Sequence, residues 1–134
     1  MFELDDRGGG RIEGWAPGFD RRRLRPLRRG ELGCELELDL HGLRREEARR
    51  ALRATLRRAI GTGLRCIRVV HGRGLRSAEE PVLRTALPEW LAEPPHGNAV
   101  LAFASADDRR GGATYVLLRR PRGRAPARRG RGAC

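Results

Sequence analysis

The chain contains no Lys: all 29 of its basic residues are Arg, set against 17 acidic residues. The preference for Arg over Lys fits a GC-rich coding sequence, so it carries little information about function. The net charge of +12 is a separate observation, and it calls for an anionic partner or another physical reason.

Cysteines and long apolar runs are also scarce. The chain has three cysteines and no Cys-x-x-Cys spacing, so the sequence predicts no metal site of the zinc type. No stretch approaches the 18 apolar residues of a membrane span, and the N-terminus has no apolar run of signal-peptide length. We therefore expect a cytoplasmic protein without membrane contact.

The positive charge is concentrated at the C-terminus. Residues 1–30 carry a net charge of +3 and residues 31–118 a net charge of +2, whereas residues 119–134 hold seven Arg and no acid. A basic tail beside a folded domain is typical of nucleic-acid binding, although a tail that only aids solubility is the alternative. We predict a flexible N-terminal arm (1–30), one domain (31–120) and a disordered Arg/Gly/Pro tail (121–134).

Apolar periodicity predicts the elements of the domain. Residues 34–41 alternate strictly between Leu and polar residues, which indicates a half-buried strand that ends at Gly42. Apolar residues at a spacing of three to four then predict a helix over residues 44–60. Further strands are predicted at 65–71, 99–105 and 114–119, with a helix at 80–92 that Pro88 should kink or divide. In the arm, Asp20 could cap a short helix over residues 21–25 that Pro26 would end.

The resulting fold class is α/β, an α+β sandwich in the order β-α-β-α-β-β. We expect a four-stranded mixed sheet with the first two strands parallel and the last two antiparallel. Both helices should lie on one face of the sheet, because the first strand buries only one of its faces.

Asp39 and His41 are the first candidate site residues. They are two apart on the first predicted strand, so they share a face, and they lie at its carboxyl end, where open α/β sheets commonly place their sites. A carboxylate can fix the tautomer of a neighbouring imidazole and so support a general base or a cation that faces phosphate. Exposed strand ends carry polar residues by default, so this pair alone is a weak signal.

The second candidate is the turn formed by His71, Gly72, Arg73 and Gly74. It closes the second strand at the same sheet edge, its glycines would let backbone amides approach an anion, and Arg73 offers a forked phosphate contact. The Gly-Lys-Ser/Thr ending of a P-loop is absent, and an ordinary strand-to-loop turn is the alternative. Parallel pairing of the two strands would bring both candidates together.

Three motifs in this order resemble the Smr (small MutS-related) domain family in its stand-alone bacterial form. Leu-Asp-Leu-His-Gly at residues 38–42 resembles the family's Leu-Asp-x-His-Gly signature, and residues 71–75 resemble its second signature, (Thr/His)-Gly-x-Gly. Gly-Gly-Ala-Thr-Tyr-Val at residues 111–116 resembles the entry to its last strand. The resemblance covers roughly residues 18–120.

The resemblance implies a fold similar to the C-terminal domain of translation initiation factor three. It also implies an endonuclease that nicks DNA or cleaves RNA, in some members the mRNA of stalled ribosomes. The expected partners are therefore DNA or RNA and, further, the ribosome. Asp39 and His41 map onto the segment implicated in cleavage. His71, Gly72 and Gly74 map onto the signature linked to nucleic-acid contact, and we add Arg73, Arg109 and Arg110 as phosphate-binding candidates.

The sequence leaves catalysis and the need for a metal open. Many members carry a His just before the double glycine of the last loop, where this chain has Arg109 and Arg110. A non-catalytic module that binds RNA or the ribosome is therefore the alternative to an endonuclease. No cofactor is predicted. A divalent metal such as Mg²⁺ is the open alternative, but one carboxylate and one imidazole make a poor cage for a hard cation.

Overall fold

The computed structural model describes residues 2–8, 11–72, 79–107 and 112–120, and for residues 79–82 it describes the backbone alone. Within these ranges the chain forms six strands, three helices and two short 3-10 segments, Arg21–Arg23 and His96–Ala99. The strands are β1 (Glu3–Gly8), β2 (Arg11–Trp15), β3 (Leu36–Asp39), β4 (Cys66–Val70), β5 (Val100–Ser105) and β6 (Ala113–Leu118). The helices are α1 (Leu24–Arg28), α2 (Arg45–Gly61) and α3 (Glu79–Leu91).

All six strands belong to one mixed sheet with the order β1-β2-β5-β6-β4-β3. The α/β class, the parallel pairing of β3 with β4 and the antiparallel pairing of β5 with β6 are confirmed. The prediction of four strands is wrong, because β1 and β2 form an antiparallel hairpin that pairs with β5 through β2. Residues 3–8 and 11–15, part of the segment that we predicted to be a flexible arm, therefore extend the sheet.

The hairpin of β1 and β2 was not predicted from the sequence, and the reason is physical. β1 is an edge strand whose side chains are nearly all exposed, so it has no need of the apolar alternation that marks a half-buried strand. β2 contains Gly14, which suggests a loop in the sequence, but a Cβ at this position would collide with the ring of Phe103. This glycine permits close packing within the sheet.

Helix α1 holds the N-terminal segment against the rest of the protein. Its residues Leu24 and Leu27 are buried, at 3% and 0% exposure, beside the buried ring of Trp15. Burial of each leucine stabilises the fold by roughly 1.5–3 kcal/mol. Asp20 caps the preceding 3-10 segment as expected, accepting a hydrogen bond from the Arg22 N–H. Pro26 lies within the first turn of α1, where a missing N–H costs nothing.

The two faces of the sheet are covered differently. Helices α2 and α3 pack on one face, over a core that includes Leu40, Ile67, Val69 and Val116. Helix α1 packs on the opposite face against β5 and β6. The prediction that two helices share one face is confirmed for α2 and α3, and α1 is a third helix on the other side. Pro88 lies inside α3 without dividing it.

In the part of the chain that the structure describes, no helix has the length and apolar character to cross a membrane. The tail that we predicted to be disordered, residues 121–134, lies outside the described residues.

Candidate functional site

The exposed pair Asp39–His41 lies where β3 ends. Leu40, between the two, is fully buried, and its N–H donates to the Val70 carbonyl of β4 at 2.7 Å. The residues on either side of this anchor therefore project outward, with 53% of the Asp39 side chain and 60% of the His41 side chain exposed. The sequence pattern of apolar and polar residues thus places both functional groups on the surface.

Two hydrogen bonds fix the geometry of the pair. His41 Nδ1 lies 2.8 Å from Asp39 Oδ1, and the His41 backbone N–H donates to the same oxygen at 3.0 Å. A carboxylate can only accept, so Nδ1 carries the proton and, in the neutral ring, Nε2 carries the lone pair. This tautomer suits a base that takes a proton at Nε2.

The carboxyl of Asp39 is held in its ionised form. Partial burial acts to raise its pKa, but the hydrogen bonds from the side chain and backbone of His41 and the attraction to that ring outweigh burial and lower the pKa. Asp39 is therefore a carboxylate at neutral pH and can orient the imidazole and stabilise its cationic form.

His71 follows β4 and has a different environment. It is 2% exposed and lies on the face of Ile67 and Val69, beneath α2 and α3. Its Nδ1 lies 3.0 Å from the Gly72 carbonyl oxygen, and its Nε2 lies 2.9 Å from Thr114 Oγ1 of β6. Because the carbonyl only accepts, Nδ1 donates to it, and the neutral ring accepts the Thr114 hydroxyl proton at Nε2. His71 therefore holds the end of β4 against the start of β6.

The ends of β3 and β4 are adjacent in the structure, but His41 and His71 have different environments. Asp39 is paired with Val70 in the β3–β4 register, so the carboxyl ends of both strands are adjacent, as parallel pairing predicted. The two imidazoles nevertheless differ in environment, since the His41 side chain is 60% exposed and His71 is 2% exposed. Of the two histidines, His41 is the exposed one, and it is paired with Asp39.

Gly72 adopts a left-handed conformation with φ of 91°, which favours glycine at this turn. Its N–H and that of His71 both donate to the Gly112 carbonyl, at 3.0 and 2.8 Å. The Gly72 amide is thus committed to joining β4 to the strand entry at Gly112. The remaining phosphate-binding candidates, Arg73, Gly74, Arg109 and Arg110, lie outside the described residues, and their role stays a prediction.

Thr114 is the residue of this region that sequence reasoning missed. We recognised it only as part of the entry to the last strand, because its partner depends on the pairing of β4 with β6. Val69 is opposite Thr114 in that antiparallel register. A polar residue among the buried positions of β6 was the only signal available in the sequence.

Metal binding and nucleophilic attack by a cysteine are two further kinds of chemistry to consider for these residues. Among the described residues, no group of three or more His, Cys, Asp or Glu could hold a metal ion. The Asp39 carboxylate already accepts twice from His41, so this pair does not fit a cation cage. Burial, followed by the charge of Glu35, raises the pKa of the Cys66 thiol to about 12, so this thiol stays protonated.

The motifs and the fold define a known class of protein. The model of the Smr domain family matches residues 38–119, from the end of β3 through β6, and the chain belongs to that family. The chain is also similar in structure to YdaL, a stand-alone small MutS-related protein from Escherichia coli, with a TM-score of 0.66 and 29% identity, covering 81% of this chain and 82% of that one.

Curated relatives add a second finding. The chain is 36% identical over 102 residues to proteins named ribosome rescue factor SmrB from Yersinia pseudotuberculosis and from Escherichia coli O157:H7. Those alignments cover 76% of this chain but 53% and 51% of the relatives. The chain thus spans about half the length of the curated relatives it matches.

Proposed function

We propose that this protein is an Smr-type endonuclease that cleaves RNA, with His41 as general base and Asp39 as the residue that positions it. The observation that carries the proposal is the 2.8 Å contact of His41 Nδ1 with Asp39 Oδ1, on an exposed strand end within the family signature. An oriented and accessible imidazole is what general base catalysis requires.

The geometry supports a simple mechanism. His41 Nε2 accepts the proton of a ribose 2′-hydroxyl, and the 2′-oxygen attacks the adjacent phosphorus. The bond from phosphorus to the 5′-oxygen breaks, and that oxygen takes a proton from water. The products are a 2′,3′-cyclic phosphate and a 5′-hydroxyl, and the Asp39 carboxylate stabilises the imidazolium that forms.

The choice of RNA over DNA rests on the relatives. The proteins that match most of this chain are named ribosome rescue factors, which favours ribosome-associated RNA in the cytoplasm as the substrate. Cleavage of DNA by attack of water is the other chemistry the same pair would allow. A ribose 2′-hydroxyl is what separates the two, and it can be removed from the substrate.

The basic segments supply affinity in this proposal. Arg73, Gly74, Arg109 and Arg110 would contact phosphate near the cleaved bond. The tail would add affinity that does not depend on sequence. Deletion of residues 121–134 removes five Arg. It should lower the slope of log affinity for single-stranded RNA against log salt by up to about 3.5. An unchanged slope would exclude the tail from binding.

One observation favours the rival, a module that binds RNA or the ribosome without cleaving. Arg109 and Arg110 occupy the place before Gly111 where many members of the family carry a His. The rival shares the binding surface with the endonuclease and differs from it in turnover alone.

Cleavage assays with the two site variants distinguish these functions. The purified protein is incubated with a structured RNA, with the same RNA bearing 2′-O-methyl groups, and with supercoiled plasmid. Each incubation is repeated with EDTA and with Asp39→Ala and His41→Ala. We expect cleavage of the unmodified RNA alone, lost in the His41 variant, reduced in the Asp39 variant and retained in EDTA.

Each contrary result has one meaning. Cleavage that both variants retain would remove the catalytic assignment, and nicking of plasmid would redirect the proposal to DNA. Loss of cleavage in EDTA would introduce a metal into the mechanism. No cleavage of any substrate, with RNA binding intact, would establish the binding module.

A further inference from the structure

The N-terminal segment places unpaired positive charge on the face of the sheet that carries Asp39. Helix α1 packs on this face with Cys66, and in β4 the residues that alternate with Cys66 are Arg68 and Val70. Val70 is opposite Asp39, and Arg68 forms an ion pair with Glu37 at 3.2 Å. Asp39 therefore projects to the same side of the sheet as α1.

Trp15, over which Arg21 stacks, belongs to β2, which lies four strands from β3 in the sheet. Helix α1 contacts β5 and β6, and β3 lies two strands beyond β6 in the sheet. Strands are spaced by about 4.8 Å, so about 10 Å separates β6 from β3 and about 19 Å separates β2 from β3. Arg68 bridges this interval, with its guanidinium 5.9 Å from the ring of Tyr115 and paired with Glu37. A single nucleic-acid strand could contact both ends of the face.

Three of the six arginines at residues 21–29 have an ion-pair partner: Arg22, Arg28 and Arg29. Arg22 is bound by Asp20 through two contacts of 3.1 Å, and Arg28 is bound at 3.0 Å by Glu13, which is itself buried. In contrast, Arg21 and Arg25 are exposed, and neither has an ion-pair partner among the residues that the structure describes. Arg23 also has no ion pair with a described residue, but it is half-buried and stacks over Phe19 at 5.5 Å, so Arg21 and Arg25 are the two exposed guanidinium groups that remain available to an anion.

Arg21 and Arg25 line a surface groove, and Arg21 is stacked on an aromatic ring. Arg21 stacks its guanidinium over the ring of Trp15, 4.6 Å from the ring centre, and Trp15 is 6% exposed. Arg21 and Arg25 line one surface groove of about 520 Å³, whose floor and walls include Glu13, Leu24 and Arg28. A stacked guanidinium loses less freedom when it binds phosphate than a mobile side chain does.

We infer that Arg21 and Arg25 form a second phosphate-binding surface, which holds the backbone of a single RNA strand as it crosses the sheet toward Asp39 and His41. The inference rests on the proposed function for its choice of RNA. Charge complementarity and the shared face support this occupant, since RNA carries one negative charge per nucleotide. The surface lies outside the residues that the family model matches.

The test measures binding separately from cleavage. The probe is a fluorescent single-stranded RNA with a 2′-O-methyl group at every position, which cannot undergo attack by a 2′-hydroxyl. Affinity is measured over a series of salt concentrations for wild type and R21Q/R25Q. The matched control is R50Q/R57Q, which removes two exposed arginines of α2 on the opposite side of the sheet.

For R21Q/R25Q, we expect the slope of log affinity against log salt to fall by about 1.4, because each phosphate contact on a single strand contributes about 0.7. Affinity at 0.1 M salt should fall roughly 10- to 30-fold by the same relation. R50Q/R57Q should keep the slope of the wild type. R21K/R25K retains both charges and should keep most of the slope, which a purely structural role of the arginines would not predict.

Three results would overturn the inference: a slope for R21Q/R25Q equal to that of R50Q/R57Q, an equal loss in R21K/R25K, or no binding of the probe by the wild type. None of them depends on catalysis, because the probe cannot be cleaved by the proposed route. Conversely, a wild type that binds the probe as expected but cleaves no RNA would refute the proposed function and leave this surface in place.

Discussion

His41 and His71 each follow the carboxyl end of one of two neighbouring parallel strands, and the fold uses them differently. The His41 ring is exposed and contacts the Asp39 carboxylate, whereas His71 is 2% exposed and contacts a hydroxyl and a carbonyl of two segments. An exposed ring can meet a substrate but contributes little stability. A buried ring with polar partners stabilises the fold, and a contact of His71 with nucleic acid stays a prediction. Sequence motifs alone do not distinguish these roles.

The largest expected effect is the loss of RNA cleavage when the exposed histidine, His41, is replaced. His41→Ala should lower the rate of RNA cleavage by about 10²- to 10⁴-fold, the usual contribution of a general base. Its free energy of unfolding should change by less than about 0.5 kcal/mol, because the ring makes few buried contacts. Single-turnover cleavage and urea unfolding measure the two quantities. A large loss of stability would make His41 a structural residue instead.

Replacement of the buried histidine, His71, should lower stability and leave the rate of RNA cleavage nearly unchanged. His71→Ala should lower the free energy of unfolding by about 1–3 kcal/mol, since it leaves the Thr114 hydroxyl and the Gly72 carbonyl without this partner. Below its unfolding temperature the variant should cleave RNA within a few-fold of the wild type. A variant as stable as the wild type would show that the contacts of His71 contribute nothing to the fold.

A smaller loss is expected at the partner of His71. Thr114→Val keeps the shape of the side chain and removes the hydroxyl that donates to Nε2, so it should cost about 1 kcal/mol. In the double variant with His71→Ala the two losses should not add, because both remove the same hydrogen bond. Urea unfolding of the four proteins gives the coupling. Full additivity would mean that the hydrogen bond is energetically silent.

The smallest effect concerns the pH dependence of stability. The pKa of Asp39 is lowered from its ordinary value of 3.8, so its carboxylate stabilises the fold above that pH and loses this contribution as pH falls through the folded-state pKa. Wild type should therefore be slightly more stable than Asp39→Asn at pH 7, with the difference vanishing in strong acid. A difference that grows toward acid would contradict the lowered pKa.

Prediction from the sequence succeeded where the periodicity was strong. The alternation around Leu38 and the apolar spacing of α2 indicated the elements from β3 onward, each to within about two residues of its observed bounds. It failed for β1 and β2, since an exposed edge strand needs no alternation and Gly14 is required by packing against Phe103. The packing of α1 on the opposite face of the sheet depends on contacts with β5 and β6, which no local pattern encodes.

The candidate site, like the fold, was predictable from the sequence only in part. The period of a strand placed Asp39 and His41 on one exposed face, and the structure adds their hydrogen bonds. The burial of His71 was not predictable, because it depends on whether position 71 continues the alternation of Ile67 and Val69 beyond the strand end. The pairing of β4 with β6, which supplies Thr114 as its partner, is equally non-local.

The central claim is that the exposed pair performs chemistry while the buried histidine holds the sheet together. Its most direct test is the single-turnover rate of RNA cleavage by His41→Ala and His71→Ala, measured side by side at a temperature where both are folded. The account predicts a loss of at least about 100-fold for the first and a rate within a few-fold of wild type for the second. Cleavage by His41→Ala at the wild-type rate would contradict it.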